Sequence, residues 1–500
     1  MQIPVSCFSG EGVGFGTSGV RGKVDALTDE VCFAYTSAFL RMLADPRKGE
    51  QGDRVVALAH DLRPSSPRMA AACAAACASA GWRATLCGAI PTPALAHHAI
   101  QRGVPAVMIT GSHIPFDRNG IKFYTRSGEI LKADEATIAG AVVELDDSAF
   151  DAGMLRNSPR LPPVDPAARE LYRHRYLSFF PAGMLRGRRL GVYQHSSVAR
   201  DLCADLLREL GAEVVPLGRT DTFVPVDTEA VGEADQRQAR AWASAHRLDA
   251  IVSTDGDADR PLLADETGTW FRGDLVGMLC ARFLGARTVV TPVSSNTSVE
   301  RCGAFARVVR TRIGSPFVIE AMAEAARQGD VPVVGYEANG GFLLGNAIER
   351  PRGDARAVLA ALPTRDAFLP IFSLLAMAAE RSCGVSQLTA GLPSRHTASD
   401  RLQDFDGGAS RRLLTHLASA PGALAVFFAE LGVVGDVNQV DGLRVTLGSG
   451  EIVHLRPSGN APELRCYAEA DTPERAVELS RWALAAAGEQ SRALGRAAAP

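Results

Sequence analysis

Residues 54–113 read RVVALAHDLRPSSPRMAAACAAACASAGWRATLCGAIPTPALAHHAIQRGVPAVMITGSH, and the order of patterns in this stretch decides the fold. Arg54 to His60 is a run of small and branched apolar residues, which reads as a buried strand. Ser66-Pro67 opens a helix that runs to Gly81, with proline in the first turn and glycine just past the end. Arg83 to Cys87 is a second strand, Thr92 to Arg102 a second helix, and Ala106 to Thr110 a third strand that delivers the chain to Gly111-Ser112-His113. Strands alternating with helices in this way make parallel βαβ units.

The same grammar restarts after an irregular, proline-rich stretch from Asn157 to Pro166. Strands are expected at Leu190 to Gln194, Glu213 to Leu217 and Ala250 to Thr254, with helices at Val198 to Leu210 and Glu233 to His246. A third unit follows, with helices at Asp274 to Leu284 and Pro316 to Gln328 and strands at Thr288 to Val293, Arg307 to Thr311 and Val331 to Gly335. The last hundred residues differ: a hairpin-like pair (Gly442 to Leu447, Glu451 to Leu455), a strand Leu464 to Tyr467 and a helix opened by Asp471-Thr472-Pro473 predict a smaller α+β domain.

The chain of 500 residues has 46% hydrophobic and 22% charged residues, the composition of a folded protein with several domains. Its 53 basic and 56 acidic residues leave a net charge of -3, against a nucleic-acid partner. The 10 cysteines include no CxxC pair, and no apolar run is long enough to span a bilayer. A reducing, cytoplasmic setting without membrane attachment is expected, as a monomer or homodimer.

Chemistry concentrates in three places. Asp255-Gly256-Asp257-Ala258-Asp259-Arg260 puts three carboxylates at alternate positions beyond a buried strand, with little positive charge nearby in sequence, and so predicts a divalent cation such as Mg²⁺. An EF-hand competes, since Glu266 falls at loop position 12, but Arg260 stands where that loop needs glycine. Thr110-Gly111-Ser112-His113-Ile114-Pro115 lies past the carboxyl end of a strand, where open parallel sheets bind ligands, with Gly111 read as room for close approach and Lys122 ten residues on. Arg456-Pro457-Ser458-Gly459-Asn460-Ala461-Pro462, with Arg465 nearby, reads as a dianion cradle. Gly14 to Gly19 spells GxGxxG, but no strand leads into it. It reads as a flexible loop presenting Arg21. His97-His98 reads as core or surface histidines.

In this order the segments resemble the α-D-phosphohexomutase family, most closely its bacterial phosphomannomutase type. Phe15 to Gly22 resembles that family's GTSGxRG loop, Thr110 to Lys122 its phosphoserine loop, the aspartate run its metal loop, Gly335 to Gly341 its sugar-specificity loop, and Arg456 to Arg465 its phosphate loop. Ile114, Asn339, Gly341 and Asn460-Ala461 depart from the common residues. The fold implied is three similar α/β domains with mixed sheets plus a C-terminal α+β domain around a central cleft, divided at 1–158, 159–268, 269–388 and 389–500. The activity implied is interconversion of hexose 6- and 1-phosphates, mannose first, through a phosphoserine and a hexose 1,6-bisphosphate that also serves as activator. Phosphoglucomutase, phosphoglucosamine mutase and an inactive sugar-phosphate-binding paralogue are the alternatives. The resemblance implies Ser112 as phosphate carrier, Mg²⁺ on Asp255, Asp257, Asp259 and a phosphoseryl oxygen, and Arg21, Arg260 and Lys122 offsetting charge. His113 and Lys122 become candidates for proton transfer. Arg312, Glu337 and Asn339 would contact the sugar phosphate, and Arg456, Ser458, Gly459, Asn460 and Arg465 would grip the phosphate that is not reacting. Gly341 is expected to leave open space beside Glu337.

Overall fold

The structure, a computed structural model, describes residues 1–10, 12–16, 18–45, 52–229, 231–352, 355–458 and 462–497. Its first three units repeat one plan. In the first, Val55–His60 lies between Arg83–Ala89 and Ala106–Ile109, all parallel, and Arg118–Thr125 returns antiparallel beside Ala106–Ile109. The second sets Arg189–Tyr193 between Glu213–Leu217 and Ala250–Thr254, with Pro261–Ala264 antiparallel on the far side. The third does the same with Thr288–Pro292, Arg307–Thr311, Val333–Tyr336 and the returning Phe342–Leu344, and adds Leu362–Asp366 antiparallel beyond it. The sheets are therefore mixed, as the resemblance implied.

Arg118–Thr125 contains Asn119-Gly120, a dipeptide that elsewhere marks a turn, yet both residues are fully in the sheet. Gly120 is required because a Cβ there would stand 2.4 Å from the Val20 carbonyl oxygen. The Asn119 amide donates to the Ser65 and Ser66 hydroxyls at the start of helix Ser66–Ser79, so its polarity is satisfied inside. The glycine-rich opening is likewise not a flexible loop. Gly14–Phe15 and Val20–Lys23 pair antiparallel, and the latter adds to the edge of Arg118–Thr125, so Arg21 is carried on a strand.

One apolar cluster runs through all three units, joining helices Thr92–Arg102, Ala167–Phe179, Gly273–Phe283 and Phe368–Glu380. His97 and His98 are buried in this interior. Asp366 stands within it, accepting from the Tyr172 hydroxyl at 2.6 Å, from the Tyr176 hydroxyl and from the Phe368 amide. The last unit has its own core: strands His396–Leu402, Leu464–Ala470, Ile452–Pro457, Leu443–Leu447 and Val434–Asn438 form an antiparallel sheet covered by helix Pro473–Ala497. Among the described residues no helix is long and apolar enough to cross a membrane.

Candidate active site

The shared plan fixes where the functional loops fall. In each of the three units the connection from the third parallel strand to its antiparallel return carries one of them: residues 110–117 with Ser112, 255–260 with the aspartates, 337–341 with Glu337. All three connections, together with strands of the last unit, wall a cleft of about 670 Å³. Seven arginines line it (Arg21, Arg118, Arg260, Arg365, Arg401, Arg456, Arg465) against three carboxylates (Glu229, Glu337, Glu463). Such a surplus of cation suits a dianionic ligand.

Between Gly111 and His113 of this lining, Ser112 is 1% exposed and held at φ +56°, a left-handed conformation that non-glycine residues rarely adopt. Its Oγ donates to Asp255 Oδ2 at 2.6 Å, and its amide donates to Thr110 Oγ1 at 2.8 Å. Arg63, which the sequence reading missed, fixes this turn. Its guanidinium donates to the carbonyls of Ser112, Ile114, Pro115 and Arg118 at 2.6–3.0 Å, is bound by Asp61 at 3.1 Å, and lies over the Phe223 ring. Asp61 also accepts the Gly111 amide. A Cβ on Gly111 would come within 2.5 Å of the Arg63 guanidinium, so the glycine makes room for that arginine rather than for a ligand.

The three aspartates converge, one carboxylate oxygen of each lying within 4.8 Å of the others, all buried. Positive charge is not scarce around them as the sequence suggested: it arrives from distant segments. Lys122 Nζ donates to Asp257 Oδ2 at 2.7 Å and Asp259 Oδ2 at 2.6 Å, and Arg365 reaches Asp259 Oδ2 at 2.8 Å. Burial, then the charge of Asp257 and Asp259, holds the Asp255 carboxyl well above the usual carboxylate range. Asp257 goes the other way: burial would raise it, but Lys122 outweighs that and holds it low. Two carboxylate oxygens, Asp257 Oδ1 and Asp259 Oδ1, have no hydrogen-bond partner among the described residues although buried. Unpartnered buried carboxylate oxygens beside a third carboxylate fit a hard divalent cation. Glu266, the EF-hand candidate, instead binds the Ser386 hydroxyl and amide.

His113 Nδ1 accepts from Arg260 at 2.6 Å and lies 3.3 Å from Ser112 Oγ. The charge of Arg260, reinforced by burial, pushes its pKa down to about 2, so the ring is neutral. Burial lowers Arg21 to about 10, and its guanidinium donates to the Thr110 carbonyl at 2.8 Å, bracing the Ser112 turn.

Glu337 and Asn339 reach the cleft, but the space beside Gly341 is not open. A Cβ there would stand 2.7 Å from Arg365 Cδ, and Arg365 NH1 donates to Glu337 Oε2 at 3.1 Å. Arg312 is not brought in: it is exposed, its guanidinium 5.0 Å from the centre of the Phe317 ring, and Ile313 lines the wall instead. Arg456 and Arg465 sit opposite each other on adjacent strands, with Ser458 at the end of the first. Arg401 and Tyr467, from neighbouring strands of the same sheet, line the cleft beside them and were not anticipated. Gly459 and Asn460 lie outside the described residues.

Residues 12–148, 176–268 and 272–396 match the phosphoglucomutase/phosphomannomutase alpha/beta/alpha domains I, II and III, and 412–483 match the C-terminal domain. The chain belongs to the phosphoglucomutase/phosphomannomutase family. A phosphomannomutase of Sinorhizobium fredii is 46% identical over 94% of this chain and 98% of its own length, and one of Salmonella muenchen is 46% identical over 94% of each. A phosphoglucomutase/phosphomannomutase family protein of Burkholderia thailandensis superposes with a TM-score of 0.71 at 22% identity, covering 97% of this chain and 98% of that one, which supports the fold. The chain is accordingly an enzyme of the mutase class.

Proposed function

We propose that this enzyme interconverts hexose 6-phosphate and hexose 1-phosphate, with mannose phosphates preferred and the phosphoryl group carried on Ser112. The observation that carries the reading is the position of Ser112, its Oγ 2.6 Å from Asp255, between Gly111 and His113 of an arginine-lined cleft. The preference for mannose rests on the phosphomannomutase relatives at 46% identity.

In the charged enzyme the bond from Ser112 Oγ to phosphorus breaks as a sugar hydroxyl oxygen bonds to that phosphorus. The proton the sugar hydroxyl loses is matched by one gained at the freed serine oxygen, so that serine ends the step as its hydroxyl. Because such transfers depend mostly on alignment and charge compensation, the residues that fix Ser112 matter as much as those that touch phosphate. Arg63 and Arg21 hold the turn; Arg260 offsets developing charge. His113, neutral and already accepting from Arg260, orients that arginine and is a poor proton acceptor. Lys122, which donates to Asp257 and Asp259, is then the candidate for relaying that proton, giving one to the freed serine oxygen as it takes up the one the sugar hydroxyl loses. Asp255, Asp257 and Asp259, with a phosphoseryl oxygen, would hold Mg²⁺, which supplies charge neutralisation to the phosphoryl oxygens. Arg456, Ser458 and Arg465, with Gly459 and Asn460, grip the distal phosphate in both substrate orientations, and the hexose 1,6-bisphosphate between them turns over in the cleft before returning its other phosphate to Ser112. Division into units at 158, 268 and 388 belongs to the same reading.

The test is a panel of mannose, glucose and glucosamine 1-phosphates with Mg²⁺ and a trace of hexose 1,6-bisphosphate. The expected result is 6-phosphate formation fastest from mannose 1-phosphate and none in excess chelator. A kcat/KM for glucose above that for mannose reverses the preference. No turnover of any hexose phosphate overturns the reading.

A further inference from the structure

The sugar loop of this chain is held by a residue outside it. Glu337 to Gly341 close a tight turn, with the Gly340 amide on the Glu337 carbonyl at 2.9 Å and the Gly341 amide on Asn339 Oδ1 at 3.0 Å. Asn339 therefore spends its side-chain oxygen on its own turn. Arg365 arrives from strand Leu362–Asp366, whose pairing with Phe342–Leu344 is irregular: Phe342 faces Asp366 but Leu344 faces Leu362, so the stretch around Arg365 bulges. Asp366, clamped by Tyr172 and Tyr176, fixes the end of that bulge.

From there Arg365 makes two ion pairs, NH1 to Glu337 Oε2 at 3.1 Å and NH2 to Asp259 Oδ2 at 2.8 Å. Its side chain is 4% exposed. Its Cγ and Cδ fill the space over Gly341, where a Cβ would meet them at 2.8 and 2.7 Å. Its Nε is buried without a hydrogen-bond partner among the described residues, a cost that is tolerated when the rest of the group is needed where it is. One side chain thus joins the sugar loop of the third unit to the aspartate loop of the second, and leaves Glu337 a single oxygen, Oε1, free of hydrogen bonds from the described residues.

Resting on the mutase reading above, we propose that Arg365 is a positioning residue that sets sugar preference through Glu337. By committing Oε2 it aims Oε1 at one region of the hexose ring, and by sharing Asp259 it fixes that aim relative to the aspartate loop. Gly341 is its necessary partner, since any side chain there displaces the arginine.

The experiment measures kcat and KM for mannose 1-phosphate and glucose 1-phosphate in wild type, Arg365→Lys, Arg365→Met, Glu337→Gln and the Arg365→Lys/Glu337→Gln double variant, with intact mass reporting phosphate on Ser112. Arg365→Lys keeps the charge and tests the fork geometry even if Arg365→Met fails to fold. The expected result is a KM for mannose 1-phosphate raised roughly 10-fold and the mannose-to-glucose ratio of kcat/KM moved at least about 3-fold, with Ser112 still phosphorylated. In the Glu337→Gln background the same substitution should leave the ratio unchanged. A ratio that stays at the wild-type value in Arg365→Lys while overall rate falls would mean a merely structural role and overturn the proposal. So would a further shift of the ratio in the double variant. Neither outcome touches the mutase reading, which fails only if wild type turns over no hexose phosphate.

Discussion

The two ends of the cleft hold charge in opposite ways. At the Ser112 end, Lys122, Arg63 and Arg365 are buried, each committed to carboxylates or to backbone carbonyls of the loops around them. At the other end Arg456 and Arg465 stand partly exposed on neighbouring strands, Arg456 3.4 Å from Asp441 and Arg465 3.3 Å from Glu463. The first end belongs to three units fused through one core, the second to a unit with a core of its own. A group that is transferred needs donors that do not move, because reorganisation at the moment of reaction raises the barrier. A phosphate that must be released and gripped again from the opposite orientation needs donors that are charged but not locked. The difference in burial therefore separates chemistry from holding.

The largest effect expected from this contrast is at Ser112. Ser112→Ala removes the proposed phosphate carrier while leaving the arginine cluster intact, so turnover should fall by on the order of 10³-fold or more. Sugar-phosphate affinity, read by calorimetry, should stay within about 3-fold of wild type. Near wild-type turnover, or stable phosphate mapped to another residue, would break the assignment.

Arg63→Met comes next and separates stability from binding. It strands Asp61 in the interior and frees four loop carbonyls, so chemical denaturation should show a loss of ~3–5 kcal/mol. The kcat should fall with KM little changed, because the loop fixes the reacting serine rather than the sugar. A stability loss with normal kcat would confine Arg63 to the fold.

The reach of sequence reading follows the same division. The aspartate run, the Ser112 turn and the Arg456 strand end were legible because their chemistry is contiguous: each sits where a strand stops. Arg63, Arg365, Arg401 and Tyr467 were not, because they join the site only through sheet order. Two of them did leave a signal. Asp61-Leu62-Arg63 follows a buried strand just as the aspartate run does, and Arg365-Asp366 puts two charges ahead of the apolar helix Phe368–Glu380. The strand Arg118–Thr125 was not anticipated: the sequence reading noted Lys122 ten residues past Ser112 and no strand there, and Asn119-Gly120 is turn chemistry when it is exposed. Here serine hydroxyls and a strand carbonyl bury it.

A pH series sharpens the comparison further. His195 backs the aspartate loop through the Thr254 carbonyl at 2.9 Å, and His454, on the Arg456 strand itself, donates to the Asp441 carbonyl at 2.5 Å. Burial lowers both to about 4, and each has a buried Nδ1 without a partner. The folded pKa lies below the unfolded value of about 6.5, so the unfolded chain takes up these protons first as pH falls. Their stabilising contribution is full above about pH 6.5, declines as pH drops and is gone below about pH 4, at most on the order of 3 kcal/mol for each histidine. Denaturation midpoints from pH 7 to 4 should show this slope, and His454→Gln should flatten it. An unchanged slope in that variant would place the acid sensitivity elsewhere.

The smallest effect is expected at the holding end. Arg456 pairs through Nε at 3.4 Å with Asp441, and its side chain is 17% exposed in the cleft lining, so its outer nitrogens have capacity left for a phosphate. A contact made equally with substrate, bisphosphate and product lowers every bound state alike and leaves the barrier between them untouched. Arg456→Ala should then raise KM about 10-fold, the worth of one charge-assisted contact shared with Arg465 and Arg401, with kcat within about 2-fold. Added salt should weaken wild-type binding and narrow the gap to the variant, because screening acts on partly exposed charge. A fall in kcat at constant KM would mean that Arg456 acts on the transferring group, and the separation of the cleft into a reacting end and a holding end would no longer stand.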